Sequence, residues 1–306
     1  MALNPQVTAS ARLRRRPPAE LLAADPYEQL KFVRAAMEES NDAECGPPLP
    51  LAVVVDVDAD GVPCRLYATR PEAPVFVYLH GGGWCYGSIE TVDRMCRRVA
   101  DRSGCAVLSV GYRLAPEHPF PAALDDAATV LDFLRKSGAD LGVDAARMAI
   151  GGDSAGGQLA TVTARRQRDA ATPLDHQVLI YPAIDPLTSS ASFDELGAYG
   201  LDRASMKLAW ETFVPDAAQR LTPDVAPLAT PDLAGMPPTL IITAEYDALR
   251  DEGADYADAL LAAGVPVVHT RYMGVNHGFA RKLGTVDDAR VAADQVASAL
   301  RAALCF

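Results

Sequence analysis

Gly152-Asp153-Ser154-Ala155-Gly156 is the stretch on which the reading of this chain turns. It follows a short apolar run, Met148–Ile150, and opens a segment from about Ala155 that reads as helix, so the serine stands where a strand ends and a helix begins. A turn that tight has no room for side chains two residues before and two after the serine, and it leaves the hydroxyl exposed at the top of a sheet. Glycine fills both places. A serine hydroxyl is a poor nucleophile until a base takes its proton, so the stretch predicts a histidine oriented by a carboxylate later in the chain.

Working outward, strands and helices alternate, the pattern of a mostly parallel sheet covered on both faces. Leu51–Asp58 and Cys64–Ala68 read as an antiparallel pair around Asp60-Gly61, and Val75–Leu79 as an apolar strand running into glycines. Thr91–Arg102 fits a helix, Cys105–Val110 a strand, and Ala122–Lys136 a helix closed near Gly138. Beyond the elbow come strands at Gln177–Tyr181, Thr239–Thr243 and Val267–Tyr272, a helix at Asp251–Ala263, and a final helix carrying Ala292, Val296 and Leu300. Before the alternation, Leu30, Val33 and Met37 recur at helical spacing after Pro26. Between Asp185 and Pro238 it breaks: prolines at 215, 223, 227, 231, 237 and 238 replace strand signal. One helix there, Leu201–Phe213, presents an apolar face with nothing nearby in sequence to bury against, which reads as a lid over a site.

His80-Gly81-Gly82-Gly83-Trp84 directly follows the strand Val75–Leu79. Three successive glycines cost conformational entropy, tolerable where main-chain N–H groups must approach a ligand closely or adopt positive φ. Attack on an ester carbonyl creates that need, because the oxygen becomes negative and preorganised N–H donors stabilise it by ~3–4 kcal/mol for each donor that mutation can remove. Donors from this loop and from Ala155, at the positive end of its helix, meet the requirement. The loop lacks the Lys-Ser/Thr of a phosphate-binding P-loop and the spacing of a dinucleotide fingerprint.

Five histidines compete for the role of base. His80 belongs to the glycine loop, His118 sits among prolines, His176 leads a strand, and His269 lies inside one. His277 remains: it follows the strand Val267–Tyr272 on a loop flanked by Gly274 and Gly278. For the acid, order and placement favour Asp247, after the strand Thr239–Thr243, with Asp185 as the rival; Asp251 suits a helix N-terminus.

Composition narrows the class. The chain has 306 residues, 49% of them apolar, ample for a core. Lys plus Arg is 28 against 40 for Asp plus Glu, a net charge of −12 that disfavours nucleic acid and anionic membrane surfaces as partners. No apolar run approaches the ~18 residues of a membrane span, and Arg12, Arg14, Arg15 and Arg16 lead into Pro17-Pro18, not into the apolar segment of a signal peptide. A cytoplasmic location is expected, with the basic cluster as a solvated face. Six cysteines stand singly, without zinc or redox-pair spacing, and read as reduced, mostly buried residues; no metal is expected.

The sequence resembles the bacterial hormone-sensitive-lipase-like esterases (family IV of the lipolytic enzymes) in HGGGW at 80–84, YRLAPEHPFPAALDD at 112–126, GDSAGG at 152–157, YPAID at 181–185, EYDALRDEG at 245–253 and GVNHGF at 274–279. The resemblance implies an α/β-hydrolase fold with a helical cap and no cofactor. It divides the chain into an N-terminal cap segment (1–50), a first core part (51–185), a cap insertion (186–236) and a second core part (237–306). It carries the nucleophile onto Ser154, the acid onto Asp247, the base onto His277, and the oxyanion donors onto Gly82, Gly83 and Ala155, with Gly81 shaping the loop. The family is often dimeric through the sheet's last strand, here Val267–Tyr272, so a homodimer is an open expectation.

Departures from the family are Gly111, Ala248, Cys85 and Tyr86, the last adding a phenol to the pocket. His80 reads as structural and Asp153 as local support of the elbow. Met206, Trp210 and Phe213 of the insertion, together with Trp84 and Phe279, are expected to line an apolar pocket of limited depth, suited to short and medium acyl esters. The expected activity is serine carboxylesterase on a small-molecule ester. Acyl transfer, deacetylation or amide cleavage on the same residues is the alternative. A receptor on the same fold is disfavoured because His277 is present; the plant gibberellin receptors that resemble this family lack the catalytic histidine.

Overall fold

The computed structural model describes residues 2–13, 18 and 25–305. Helices α1 (Pro5–Ser10), α2 (Pro26–Glu39) and α3 (Asn41–Cys45) come first. Asn4 and Asp25 cap the first two, each side chain accepting the N–H two residues on. Strands β1 (Val53–Ala59) and β2 (Val62–Ala68) then pair antiparallel across Asp60-Gly61, whose φ values of 53° and 93° supply the left-handed geometry of a two-residue hairpin.

From there the chain alternates through β3 (Ala73–Leu79), α4 (Ile89–Ser103), β4 (Ala106–Val110), α5 (Ala122–Ser137), β5 (Val143–Asp153), α6 (Ala155–Asp169) and β6 (His176–Ile180). The segment between residues 186 and 236 contributes α7 (Ser192–Leu196) and α8 (Arg203–Phe213) and adds no strand to the sheet. The core resumes with β7 (Thr239–Tyr246), α9 (Arg250–Ala262), β8 (Val267–Asn276) and α10 (Asp287–Leu304).

The strands make one sheet in the order β1-β2-β4-β3-β5-β6-β7-β8, antiparallel from β1 to β4 and parallel thereafter. Every residue of β3, β4 and β6 is buried, as strands covered on both faces require. Side chains of α5, α6 and α9 fill the core on one face, and those of α4 and α10 the core on the other. The winding reverses at β3: the chain steps outward to β4, then crosses back to β5 and proceeds to β8. Open α/β sheets bind ligands at the carboxyl edge of such a switch point. The glycine loop after β3 and the serine turn after β5 meet there.

Two strands are longer than their apolar patterns indicate. β5 begins at Val143 because Ala73 and Pro74 of β3 pair with Val143 and Asp144 ahead of a register shift, so backbone pairing recruits residues with no apolar signal. β8 continues past Tyr272 to Asn276, which pairs with Tyr246 beyond a bulge in β8. None of the six cysteines forms a disulfide and five are buried, though the sulfurs of Cys105 and Cys305 lie 3.8 Å apart. In the basic cluster, Arg12 is exposed, while residues 14–16 lie outside the described residues.

His176 opens β6 at 9% exposure, and neither ring nitrogen has a hydrogen-bond partner among the described residues. Burial pushes its imidazole down to about 4. The unfolded chain takes up a proton below the ordinary value near 6.5, whereas the folded site refuses it until about 4. Stability is therefore full above about 6.5 and declines as the pH falls toward 4, by roughly 3 kcal/mol. Urea titrations between pH 7 and 4 are expected to show this slope, and His176→Leu to flatten it.

Candidate active site

Ser154 sits between β5 and α6 with φ 55° and ψ −118°, a conformation that costs a non-glycine residue energy and persists only where the surroundings enforce it. They do so at close quarters. A Cβ on Gly152 would lie 2.2 Å from the carbonyl oxygen of Leu79, and one on Gly156 2.0 Å from the same atom. The N–H of Ser154 donates to the Ile180 carbonyl at 2.8 Å, tying the turn to β6.

Asp247 and His277 meet because of strand register. β7 and β8 are parallel neighbours, and Tyr246 and Asn276 are paired Cα partners at their ends, so the next residue on each strand emerges at the same height. His277 Nδ1–H donates to Asp247 Oδ2 at 2.8 Å, and the Ser154 hydroxyl donates to His277 Nε2 at 2.9 Å. Asp247 is 1% exposed, and its other oxygen accepts the Leu249 N–H at 2.9 Å. The Tyr181 ring packs against the imidazole, centroids 4.8 Å apart. The rival Asp185 is committed elsewhere: its carboxylate accepts from the N–H groups of Leu187 and Ser189 and from the Ser189 hydroxyl. Asp251, in the first turn of α9, accepts from the Ser192 N–H.

The glycine loop presents its amides through an unusual backbone. Gly82, Gly83 and Trp84 have φ of 129°, 55° and 59° in succession. Gly81 donates its N–H to Asp153 Oδ1 at 2.8 Å, an oxygen that also accepts from the Tyr78 hydroxyl at 2.9 Å. Burial and the Asp153 charge hold the Tyr78 hydroxyl well above its ordinary value, so it remains a donor. Asp153 thus fastens the loop to the serine turn, and the N–H groups of Gly82, Gly83 and Ala155 have no hydrogen-bond acceptor among the described residues. Burial also lowers His80, whose neutral ring donates from Nδ1 to the Gly81 carbonyl at 2.8 Å and stacks on Tyr112 at 4.3 Å. Cys85 is pushed up to about 12 by burial, so it carries no thiolate.

A cavity of 610 Å³ opens over Ser154 and His277. Its apolar wall comes from the N-terminal helices and their flanks, chiefly Leu3, Val7, Phe32, Val33 and Met37, and Tyr86 lines it as well. The other residues expected to line it do not. Trp84, Met206, Trp210, Phe213 and Phe279 are each at most 4% exposed and lie in the cores. Trp84 packs between Trp210 and Phe213 with centroids 4.1 and 4.8 Å away, and Phe279 packs on Tyr181 and Tyr272. The reason is physical: the apolar face of α8, unpartnered in its own stretch of sequence, gains more by burial against Trp84 than by facing a wet cavity. Residues 186–236 are thereby bolted to the core, also through Trp84 Nε1–H to Gln158 and Gln158 to the Val225 carbonyl. The N-terminal wall is not legible in the sequence, because the helical spacing of Leu30, Val33 and Met37 does not say which surface that helix faces. Trp210→Ala should cost roughly 3–5 kcal/mol in urea unfolding, while KM for a short-chain ester stays within about twofold, since the residue does not line the cavity.

A match to the alpha/beta hydrolase fold family covers residues 76–281. The carboxylesterase NlhH of Mycobacterium tuberculosis is 40% identical over 253 residues, 79% of each chain. The ethyl acetate hydrolase of Pseudomonas putida is 35% identical over 253 residues, 80% of this chain and 79% of its own. The solved structure of a hyperthermophilic esterase from the archaeon Pyrobaculum calidifontis superposes with a TM-score of 0.88 at 37% identity, across 99% of both chains. With a matched segment that runs from β3 to beyond His277, the chain belongs to the α/β-hydrolase fold family and, within it, to the bacterial hormone-sensitive-lipase-like esterases.

Proposed function

We propose that this carboxylic ester hydrolase works through Ser154 as nucleophile, His277 as general base and Asp247 as the carboxylate that orients it. The observation that carries the proposal is the unbroken run of hydrogen bonds from Asp247 through His277 to Ser154, at 2.8 and 2.9 Å, ending in the 610 Å³ cavity. His277 Nε2 takes the hydroxyl proton as Oγ adds to the ester carbonyl, and Asp247 stabilises the imidazolium that forms. The carbonyl oxygen becomes negative and turns toward the N–H groups of Gly82, Gly83 and Ala155. The tetrahedral species collapses, the C–O bond to the alcohol breaks, and the imidazolium returns its proton to the leaving oxygen. Water, deprotonated by the same imidazole, then attacks the acyl-enzyme and releases the acid and the free serine. Ser154→Ala should lower kcat for p-nitrophenyl butyrate roughly ten-thousandfold with the fold intact by circular dichroism; a rate near that of the unaltered protein would reject the assignment.

The substrate is a small ester with a short or medium acyl chain. The cavity volume of 610 Å³ falls within the ~300–1,000 Å³ typical of single small ligands, and a relative 35% identical to this chain is an ethyl acetate hydrolase. In a p-nitrophenyl ester series, kcat/KM should peak among acyl chains of about two to eight carbons and drop sharply at about sixteen. A homodimer paired through β8 belongs to the same reading, supported by its position at the sheet edge with Val268 and Met273 exposed. A cytoplasmic location is supported by six cysteines that form no disulfide.

A further inference from the structure

The turn that carries the Gly82 and Gly83 amides is held from two sides. On its inner side, Trp84 is pinned to the core: its carbonyl accepts the Ala115 N–H at 3.0 Å and its indole N–H donates to Gln158 at 3.0 Å. The turn closes on itself when the N–H groups of Cys85 and Tyr86 both donate to the Gly82 carbonyl at 3.0 Å. Its outer side ends at the Cys85 carbonyl, and the group that reaches this oxygen comes from the N-terminal cap: Arg34 of α2 donates from Nε at 2.8 Å. The same guanidinium donates to the Ala115 carbonyl at 3.1 Å and grips the Glu117 carboxylate with two nitrogens at 2.7 and 2.8 Å. That contact lowers Glu117 to about 2, and the Tyr27 hydroxyl, also on α2, donates to it at 3.0 Å.

A planar guanidinium offers its donors in a fixed fork. One edge of Arg34 bridges the Cys85 and Ala115 carbonyls, and the other edge is locked by Glu117. The φ values of 129°, 55° and 59° at Gly82, Gly83 and Trp84 are costly for Trp84 and weakly held at the glycines, so the aim of their amides depends on what clamps the turn.

Resting on the esterase reading above, we infer that Arg34 is a positioning residue for the oxyanion donors: docking of α2, which also supplies Phe32, Val33 and Met37 to the substrate cavity, sets the turn that stabilises the transition state. Cap closure and catalytic competence are then a single event, and a cap-docked enzyme differs from an undocked one in kcat as well as in substrate affinity.

Kinetics of Arg34→Ala, Arg34→Lys and Glu117→Gln on p-nitrophenyl acetate and butyrate separate this from simple fastening of the helix. Expected for Arg34→Ala is a fall in kcat of about tenfold or more with KM changed far less. Millimolar guanidinium chloride should restore part of it, and urea at the same concentration should not. Arg34→Lys, which retains the charge and tests the point even if the alanine variant fails to fold, should show an intermediate loss of kcat. Glu117→Gln weakens the lock on one edge of the guanidinium but keeps the bond to Cys85, so kcat should fall in the same direction by clearly less than for Arg34→Ala. Equal effects of the Arg34 and Glu117 substitutions, or a loss confined to KM, would overturn the inference. Residual activity that still vanishes on adding Ser154→Ala would show that the esterase reading stands regardless.

Discussion

The Leu79 carbonyl, at the end of β3, is the point against which the serine turn is wedged. Gly152 and Gly156 both approach it so closely that any side chain at either position would overlap it. The contact forces the end of β3 and the start of α6 together, and the glycine loop, which continues directly from β3, must therefore run beside the serine. Gly81 is under the same constraint from the other direction, since a Cβ there would lie 2.4 Å from Asp153 Oδ2. Once these backbones interlock, Ser154 and the glycine-loop amides are held close to each other, the arrangement that the proposed stabilisation of an oxyanion demands.

The other two members of the hydrogen-bonded run arrive by a different device. Asp247 and His277 follow paired residues on adjacent parallel strands, so a rigid sheet brings them level. The irregularity in β8 is needed for this: between the pairs Ala244–Tyr272 and Tyr246–Asn276 the extra residues lie on β8, and pairing resumes at Tyr246 and Asn276. The sheet thus acts as a ruler: β3, β5, β7 and β8 each deliver one component at the same edge, and the strain at Ser154 is borne by neighbours that are themselves fixed by ladder hydrogen bonds.

Two segments outside the sheet divide the remaining work. Residues 186–236 turn Phe193, Trp210 and Phe213 inward and add to the core, while Tyr199 and Leu201 reach the cavity. The N-terminal helices make fewer commitments to the core and face the cavity instead. Their attachment runs through polar contacts such as Arg34 with Glu117 and Asn41 with the Glu90 carbonyl. Arg281 adds a buried ion pair with Glu44, in which both charges must stay matched to be tolerated. Directional, polar attachment of this kind permits these helices to wall a cavity without filling it.

Local sequence was enough to determine the alternation of strands and helices, the glycine-lined turns and the candidate serine, histidine and carboxylate, because each depends on steric or chain-order rules that act within a few residues. Gly152 and Gly156 betray a close approach, and the position of His277 after a strand betrays its place at the sheet edge. Tertiary structure alone decided which apolar side chains face the cavity. Trp84, Trp210 and Phe213 are as hydrophobic as any pocket lining, and nothing in their local pattern says that they are one another's partners. Burial is a property of what lies opposite in space, and for α8 and the N-terminal helices the opposite surface is distant along the chain. The same reason hid Arg34, an ordinary surface residue by sequence, whose meaning comes from a carbonyl oxygen fifty-one positions away.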